Sequence, residues 1–273
     1  MSSQKDMISC LTETPENYVE IENQYKSTYD YHINTYYDKL NQKTSTAITN
    51  IPAKIHIVTD ANGVTSITLD EILDEINEAN TFLATSFLEI NVCDEVNYIA
   101  NNLLYNFDID DQQTLYANNQ ADILNIYFVE SIAFGGGNAC GYTYVPPVPN
   151  SSQYYDVIVM DNQCTNNPVS TTLIHEFGHH FALEHTHGLS NSELTDELVN
   201  GSNCATAGDR LCDTPADPQL NSSNVSSVNC MYTGTATDAL GQQFDPDTSN
   251  IMSYSPNTCT DFISQQQYAR MYA

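Results

Sequence analysis

The stretch HEFGHHFALEH at residues 175–185 constrains this chain more than any other part of the sequence. His175 and His179 are four residues apart, just over one turn of an α-helix, so both imidazoles leave the same face. Glu176 projects beside them. This spacing is typical of a helix that binds zinc through two histidines and uses the glutamate as a general base. The sequence therefore predicts a helix that carries two metal ligands and a base.

The six-residue step from His179 to His185 predicts that this helix ends between them. A catalytic zinc ion needs a third protein ligand and an open position for water. On a continuous helix His185 would lie about 240° round and about 9 Å further along the axis, out of reach of the metal. Glycine usually ends a helix in this way, whereas Ala182 stands at the midpoint at an expected cost of about 1–2 kcal/mol. Zinc binding contributes on the order of 10 kcal/mol, so we expect His185 to be the third ligand.

The spacing of apolar residues predicts an α/β fold upstream of this motif. Residues 16–42 have apolar side chains at three- and four-residue steps, which indicates a helix, and a polar tract follows up to a boundary near Asn50. AKIHIVT alternates as a strand, and Thr68 and Glu71 have the spacing of a capping box at the start of a second helix. The runs FLEINV, ADILNIYFVE, CGYTYVPP and YDVIVMD predict four more strands. We expect an N-terminal extension at 1–50, a subdomain at 51–187 that ends in the zinc helix, and a loop-rich, disulfide-stapled subdomain at 188–273.

Charge and cysteine content restrict the partners and the compartment. The chain has 35 acidic and seven basic residues, a formal net charge of -28, which repels nucleic acid and anionic membranes. We find no apolar run long enough for a transmembrane helix and no signal peptide at the start of this chain. None of the eight cysteines forms a C-x-x-C pair. We interpret them mostly as disulfides, which favours an oxidising compartment and a secreted protein whose signal peptide is absent here.

Three separated motifs resemble those of one protein family. Residues 175–185 are similar to the extended zinc signature of the metzincin metalloproteases, with Ala182 in place of its glycine. GDRLCDTPADP at 208–218 and SNIMSYSPNTCTDF at 249–262 resemble the pappalysin family of metzincins. The similarity covers roughly residues 51–271. It implies a metzincin-type fold, with a five-stranded mixed sheet, backing helices and an active-site helix, and a monomeric secreted endopeptidase that binds peptide or protein substrates along an edge strand.

The resemblance also implies a role for each site residue. Zinc would be bound by His175, His179 and His185, and Glu176 would act as general base and acid. Met252 would form a tight turn beneath the metal, and Tyr254 would stabilise the oxyanion of the tetrahedral intermediate. A Ca²⁺ site is implied near CDTPADP, where a solvated acidic loop is the alternative; its oxygen ligands would come from Asp209, Asp213, Thr214 and Asp217.

The same resemblance implies the interleaved disulfides Cys204–Cys230 and Cys212–Cys259, with Cys140–Cys164 as a third. Cys10 and Cys93 remain. They either pair with each other or leave Cys10 to bind the zinc of a latent enzyme as a thiolate.

Other interpretations of the zinc motif remain open. His187 would replace His185 if the helix ended later. A glutamate such as Glu193 or Glu197 would give a gluzincin-like site. In a third alternative the chain is a catalytically silent binding module that zinc only stabilises. His180 points about 100° away from the metal side, and we expect it to pack or to lie at the surface.

The distribution of basic residues suggests how the N-terminal extension is processed. No lysine or arginine occurs between Lys54 and Arg210. Some pappalysins favour arginine or lysine beside the scissile bond, so this gap would protect the chain from its own kind. The lysines in the N-terminal region remain accessible to such cleavage, and we expect residues 1–50 to be a pro-segment removed at one of them. The alternative is an acid-biased composition from a halophilic or cold environment.

Overall fold

The computed structural model describes residues 7, 8, 10, 12, 18–42, 47–93, 95–135, 137–146, 156–166, 170–188, 191 and 194–273. Contacts divide the chain into two compact units. The first comprises the described parts of residues 1–12 and 47–180, and the second those of 13–46 and 181–273. Helix length and hydropathy within these ranges reveal no helix able to cross a membrane.

The first unit is built on a six-stranded mixed sheet and a smaller four-stranded sheet. Its described strands are β1 (Met7–Ile8), β2 (Thr49–Thr59), β3 (Leu88–Val92), β4 (Asn97–Ala100), β5 (Asn106–Asp108), β6 (Leu124–Val129), β7 (Ser131–Phe134), β8 (Gly137–Ala139), β9 (Gly141–Thr143) and β10 (Val157–Asp161). The large sheet has the order β3-β2-β6-β10-β9, with β4 also paired to β2. Only β9 runs antiparallel to its neighbour in that sheet. The small sheet has the order β1-β8-β7-β5.

Burial explains which strands the sequence predicted. Every residue of β6 and of β10 is buried, as expected for central parallel strands covered on both faces. The eleven residues of β2 are long enough to pair with β3 through residues 49–53 and with β4 through 56–59 on the same edge. The five predicted strands are therefore confirmed. The sequence did not reveal β4 or the small sheet, whose strands have two to four residues and too few positions to show a period.

Seven α-helices are found among the described residues. They are α1 (Tyr18–Asn41), α2 (Leu69–Leu83), α3 (Asn102–Tyr105), α4 (Gln112–Tyr116), α5 (Asn162–Thr165), α6 (Thr172–His180) and α7 (Gln265–Tyr272). The predicted capping box of α2 is present: the Glu71 amide donates to Thr68 Oγ1 at 3.3 Å, and the Thr68 amide donates to Glu71 Oε2 at 2.7 Å. These bonds satisfy amides that the helix start would otherwise leave unpaired.

In the second unit α1 packs on α7, while the described residues from 181 to 264 contain only turns and isolated bridges. Tyr18 and Tyr36 are the fully buried anchors of α1. Arg270 of α7 donates from Nη2 to the Tyr18 hydroxyl at 2.9 Å, and the Tyr36 ring lies 5.8 Å from that of Tyr272. The predicted N-terminal helix is therefore confirmed, and in this chain it packs within the second unit.

The disulfides correct one part of the sequence analysis. Cys140–Cys164 is confirmed, but the other two bridges are Cys204–Cys212 and Cys230–Cys259, so the interleaved pairing was wrong. A turn after Cys204, in which the amide of residue 207 donates to the carbonyl of residue 203, returns the chain so that the Cys204 and Cys212 Cα atoms lie 5.0 Å apart. Each bridge thus closes a loop within its own stretch of chain. Cys10 and Cys93 are not joined to each other, so of the two alternatives for these cysteines the disulfide is the one that is wrong.

Candidate metal centre

Helix α6 ends where the spacing of the histidines requires it. It runs to His180, and Ala182 then adopts the left-handed conformation with φ 68°. This is the conformation that the sequence analysis assigned to the helix break, and an alanine accepts it at an expected cost of about 1–2 kcal/mol. The side chain of Ala182 is buried, so packing around it offsets that cost.

His175 and His179 face one potential metal position in the first unit. Both are buried, and their Nε2 atoms are 3.0 Å apart. The ligand atoms of these two histidines and of Cys10, which is also buried, all lie within 4.8 Å of one another. Imidazole nitrogens and a thiolate are the ligands that zinc prefers in proteins. The donor set therefore fits a zinc ion.

Glu176 is fully buried beside these donors. Thr12 Oγ1 donates to its Oε2 at 3.4 Å, and among the described residues its Oε1 has no hydrogen-bond partner. Burial raises the pKa of Glu176 to about 8, and hydrogen bonds from Cys10 and Thr12 oppose the shift. Burial, together with the charge of Glu176, also raises the pKa of the Cys10 thiol.

The position of Glu176 requires a glycine at residue 141. This requirement was not predicted from the sequence. A Cβ atom at Gly141 would lie 2.9 Å from both Cγ and Oε1 of Glu176, closer than real contacts allow. Gly141 is visible in the segment CGYTYVPP, but a glycine in a strand can mark a bulge, a bend or a close approach of another group. The sequence alone does not show which of these applies.

Thr12 is hydrogen-bonded to β9, the edge strand of the large sheet. The Thr143 amide donates to Thr12 Oγ1 at 3.1 Å, and the same hydroxyl lies 3.1 Å from the Thr143 carbonyl oxygen. The Thr12 amide donates to Cys10 Sγ at 3.2 Å. Residues 10 and 12 thus occupy the strand edge and the space around Glu176 at once.

In the second unit His185 lies among aromatic rings. Its ring centroid is 4.9 Å from that of His187, with the two rings nearly parallel, and 4.5 Å from that of Tyr254. The Tyr254 hydroxyl donates to Asn191 Oδ1 at 3.2 Å, and His187 Nε2 lies 3.1 Å from the same oxygen. His187 is therefore bonded to Asn191, which weighs against its replacing His185 as a ligand.

Met252 is fully buried and sits in a tight turn. The Ser253 amide donates to the Asn250 carbonyl at 3.1 Å, which closes the turn, and the Met252 amide donates to Asn250 Oδ1 at 2.9 Å. The Met252 carbonyl accepts from the amide of Thr186 at 3.1 Å. The predicted turn is present and is tied to the residue that follows His185.

Three buried acidic residues of the second unit, Glu197, Asp209 and Asp217, form an acidic cluster in which the charges of Asp209 and Asp217 act on Glu197. Thr214 Oγ1 donates to Asp209 Oδ1 at 2.9 Å. Glu197 Oε2 and Asp209 Oδ2 have no hydrogen-bond partner among the described residues. Burial, with repulsion between the carboxylates, raises the pKa of Glu197 to about 8 and that of Asp209 to about 7.

Asp213 is also hydrogen-bonded at the start of α7: its two carboxylate oxygens accept from Ser264 Oγ and from the Gln266 amide, each at 2.8 Å. Its charge still acts on Asp209, so its place in the predicted Ca²⁺ site stays a prediction. Glu197, which the sequence suggested only as an alternative zinc ligand, lies close enough to Asp209 for their charges to repel. The other alternative, Glu193, is outside the described residues.

Comparisons with known proteins agree on one family. The Peptidase M43 family model, described as pregnancy-associated plasma protein-A, matches residues 108–273. An extracellular metalloprotease of Colletotrichum graminicola is 28% identical over 159 residues, which are 55% of this chain and 48% of the relative. An extracellular metalloprotease of Neurospora crassa is 31% identical over 159 residues, 54% of this chain and 46% of the relative. This chain thus spans about half the length of these relatives.

The fold also has a match among solved structures. A promirolysin mutant from Tannerella forsythia aligns with a TM-score of 0.61 over 97% of this chain and 92% of that chain, at 16% sequence identity. At this identity the likeness concerns the fold.

Proposed function

Because this chain belongs to the pappalysin family, Peptidase M43, we propose that it is a secreted zinc endopeptidase. The observation that carries the proposal is the buried turn of α6, on which the Nε2 atoms of His175 and His179 face each other and Glu176 lies alongside. Secretion is supported by three disulfides and by relatives named as extracellular metalloproteases.

In this proposal zinc is held by His175, His179 and His185. The left-handed Ala182 supports the third assignment because it breaks the helix before His185. When bound, zinc supplies Lewis acidity to the scissile carbonyl and lowers the pKa of water to about 7.

The protein's own groups perform the proton transfers. Glu176 takes a proton from the attacking water and gives it to the leaving amine, and its burial keeps competing solvent away from both steps. Tyr254 donates its hydroxyl to the oxyanion of the tetrahedral intermediate. Before that it must release Asn191, to which it donates in this structure.

The peptide substrate binds as an added strand along β9. The hydrogen bond from the Thr143 amide to Thr12 supports this proposal, because β9 is an edge strand whose backbone already bonds a residue from a distant part of the chain. A preference for arginine or lysine beside the scissile bond would fit the absence of basic residues between Lys54 and Arg210.

Residues 1–50 act as a pro-segment in this scheme. The segment that carries Cys10 and Thr12 occupies both β9 and the space around Glu176. The Cys10 sulfur lies within 4.8 Å of the donor nitrogens of His175 and His179, so it can bind the zinc as a thiolate and keep the enzyme latent. Cleavage at a lysine in or after α1 would then release the block.

The test of this site is a zinc titration of the chain and of two variants. All proteins in this titration carry Cys10→Ala, which removes the thiolate donor. We expect one tightly bound zinc ion in this parent and at least about 100-fold weaker binding when His185→Ala is added, because two histidines alone leave the metal under-coordinated. Glu197→Gln serves as the matched control and should bind zinc as the parent does. Loss of zinc in Glu197→Gln with retention in His185→Ala would support the gluzincin-like alternative, and full retention in both would reject His185 as a ligand.

A calcium site in the acidic cluster is the second part of the proposal. Glu197, Asp209, Thr214 and Asp217 offer hard oxygen ligands, and two buried carboxylate oxygens there lack any partner among the described residues. Burial and, after it, repulsion from neighbouring carboxylates raise the pKa of Glu197 and of Asp209, and a divalent cation would neutralise that repulsion.

Calcium should therefore stabilise the protein. At a concentration of about 100 times Kd we expect an increase in Tm of about 5–10 °C, equivalent to roughly 2.7 kcal/mol. The increase should vanish in Asp209→Asn and persist in Asp261→Asn, whose carboxylate is exposed. Differential scanning calorimetry with and without Ca²⁺ decides this point, and equal responses of the two variants would contradict the site.

A further inference from the structure

Both arginines of the chain are buried in the second unit and contact the same carboxylate. Arg210 is the first basic residue after Lys54, and its side chain is 8% exposed. It pairs with Glu22 of α1 at 3.1 Å and lies over the ring of Tyr18 at 4.8 Å. Arg270 of α7 also pairs with Glu22. Glu22 thus joins the two guanidinium groups.

Arg210 has a second ionic partner, whereas Glu22 is the one carboxylate that Arg270 contacts among the described residues. Arg210 Nη2 pairs with Oε1 of Glu184, the residue immediately before His185. The Glu184 side chain is 1% exposed. A buried carboxylate is costly unless an opposite charge compensates it, so Arg210 is what allows Glu184 to occupy this position.

Thr186, the residue immediately after His185, is also held by contacts with distant residues. The Thr186 amide donates to the Met252 carbonyl at 3.1 Å, and its hydroxyl donates to Asp217. Both neighbours of His185 are therefore bonded to groups from the segment 208–217 or from the turn at Met252. Such contacts fix the backbone on either side of the imidazole.

The backbone of Arg210 indicates that its position is imposed by its surroundings. Its φ is 60°, in the left-handed region that residues other than glycine, asparagine and aspartate seldom adopt. A strained residue of this kind persists where neighbouring contacts over-determine it, and such residues cluster at functional sites.

We propose that Arg210 is a positioning residue for the metal centre: through its ion pair with Glu184 it holds His185 in the orientation that binds zinc. This inference rests on the proposed function, because it requires His185 to be a zinc ligand. Groups that orient metal ligands typically contribute 10–100-fold to metal affinity. As long as residues 1–50 are present, Glu22 also pairs with Arg210.

The experiment compares zinc affinity in the full-length chain and in its Arg210→Met, Glu184→Gln and Arg270→Met variants. Arg270→Met is the matched control, since it removes an arginine that is also buried and also paired with Glu22 but that does not contact Glu184. Competition with a chromophoric chelator measures zinc affinity, and Tm of the metal-free protein measures folding. We expect about 10–100-fold weaker zinc binding in Arg210→Met and in Glu184→Gln, and a change below about threefold in Arg270→Met.

A double variant separates positioning from general stability. If Arg210 acts through Glu184, then Arg210→Met with Glu184→Gln should bind zinc no more weakly than Arg210→Met alone, because both changes break one interaction. Equal zinc affinity in Arg210→Met and Arg270→Met, with a similar fall in Tm, would overturn the proposal. If Arg210→Met does not fold, the isosteric variant Glu184→Gln tests the proposal instead. A zinc affinity of Glu184→Gln equal to that of the unaltered chain would reject the proposal. Failure of the unaltered chain to bind zinc would instead reject the proposed function.

Discussion

Glu176→Gln should reduce the rate of peptide hydrolysis by at least about 10³-fold while zinc stays bound. General acid–base catalysis contributes about 10²–10⁴-fold, and glutamine keeps the shape of the side chain but can neither accept nor return a proton. Glutamine also fits the space above Gly141, where the glutamate side chain is tightly enclosed. The loss should therefore be chemical rather than structural.

The measurement is kcat/KM on a fluorogenic peptide, with zinc content determined on the same samples. A loss of activity that is confined to kcat and accompanied by one zinc per chain supports Glu176 as the base. Retained hydrolysis in a zinc-loaded Glu176→Gln protein would contradict the mechanism and would favour the silent-module alternative.

Cys10→Ala should release much of the latency of the full-length chain. The sulfur lies within 4.8 Å of the donor nitrogens of His175 and His179, so its removal frees a coordination position for water. We expect at least about a tenfold higher initial rate of hydrolysis before any cleavage of the N-terminal segment. The hydrogen bonds between Thr12 and Thr143 remain in this variant, so activity should rise further when residues 1–50 are removed.

Cys93→Ala provides the control for the thiol substitution. Cys93 lies just after β3 and is only partly buried, and its replacement should leave latency unchanged. Initial rates of the purified full-length variants, with the N-terminus of each sample verified by mass spectrometry, give the comparison. Identical latency in Cys10→Ala and in the parent would show that the pro-segment blocks the site without the sulfur. A fully active parent with residues 1–50 intact would reject the pro-segment altogether.

Local patterns predicted the parts of the molecule that depend on near neighbours in sequence. Helix α6, its end before His185 and the capping box of α2 follow from hydrogen bonds and side-chain spacing within about one turn. The left-handed Ala182 shows that such geometry can be inferred even where the preferred glycine is absent. The strands β2, β6 and β10 could be predicted for the same reason, because each contains a long run of apolar residues.

Contacts between distant residues were outside the reach of these patterns. The pairing of Cys204 with Cys212 and of Cys230 with Cys259 depends on turns in a loop-rich segment, and connectivity cannot be deduced from cysteine positions alone. The hydrogen bonds of Asp213 to Ser264 and Gln266 could not be inferred because these partners lie at the start of α7, about 50 residues further along the chain. Three further contacts also join residues far apart in sequence and could not be predicted from local patterns. They are the ion pair of Arg210 with Glu184, the close approach of Gly141 to Glu176, and the hydrogen bonds of Thr12 to Thr143 and Glu176.

The most direct test of the account is a map of the peptide bonds that this protein cuts. An unfolded protein mixture would be digested with the chain after removal of residues 1–50 and, in parallel, with its Glu176→Gln variant, and every new terminus would be identified by mass spectrometry. We expect internal cuts that disappear in Glu176→Gln and on zinc chelation, and that return when zinc is restored. The same set of termini in both digests would contradict the assignment of this chain as a zinc endopeptidase.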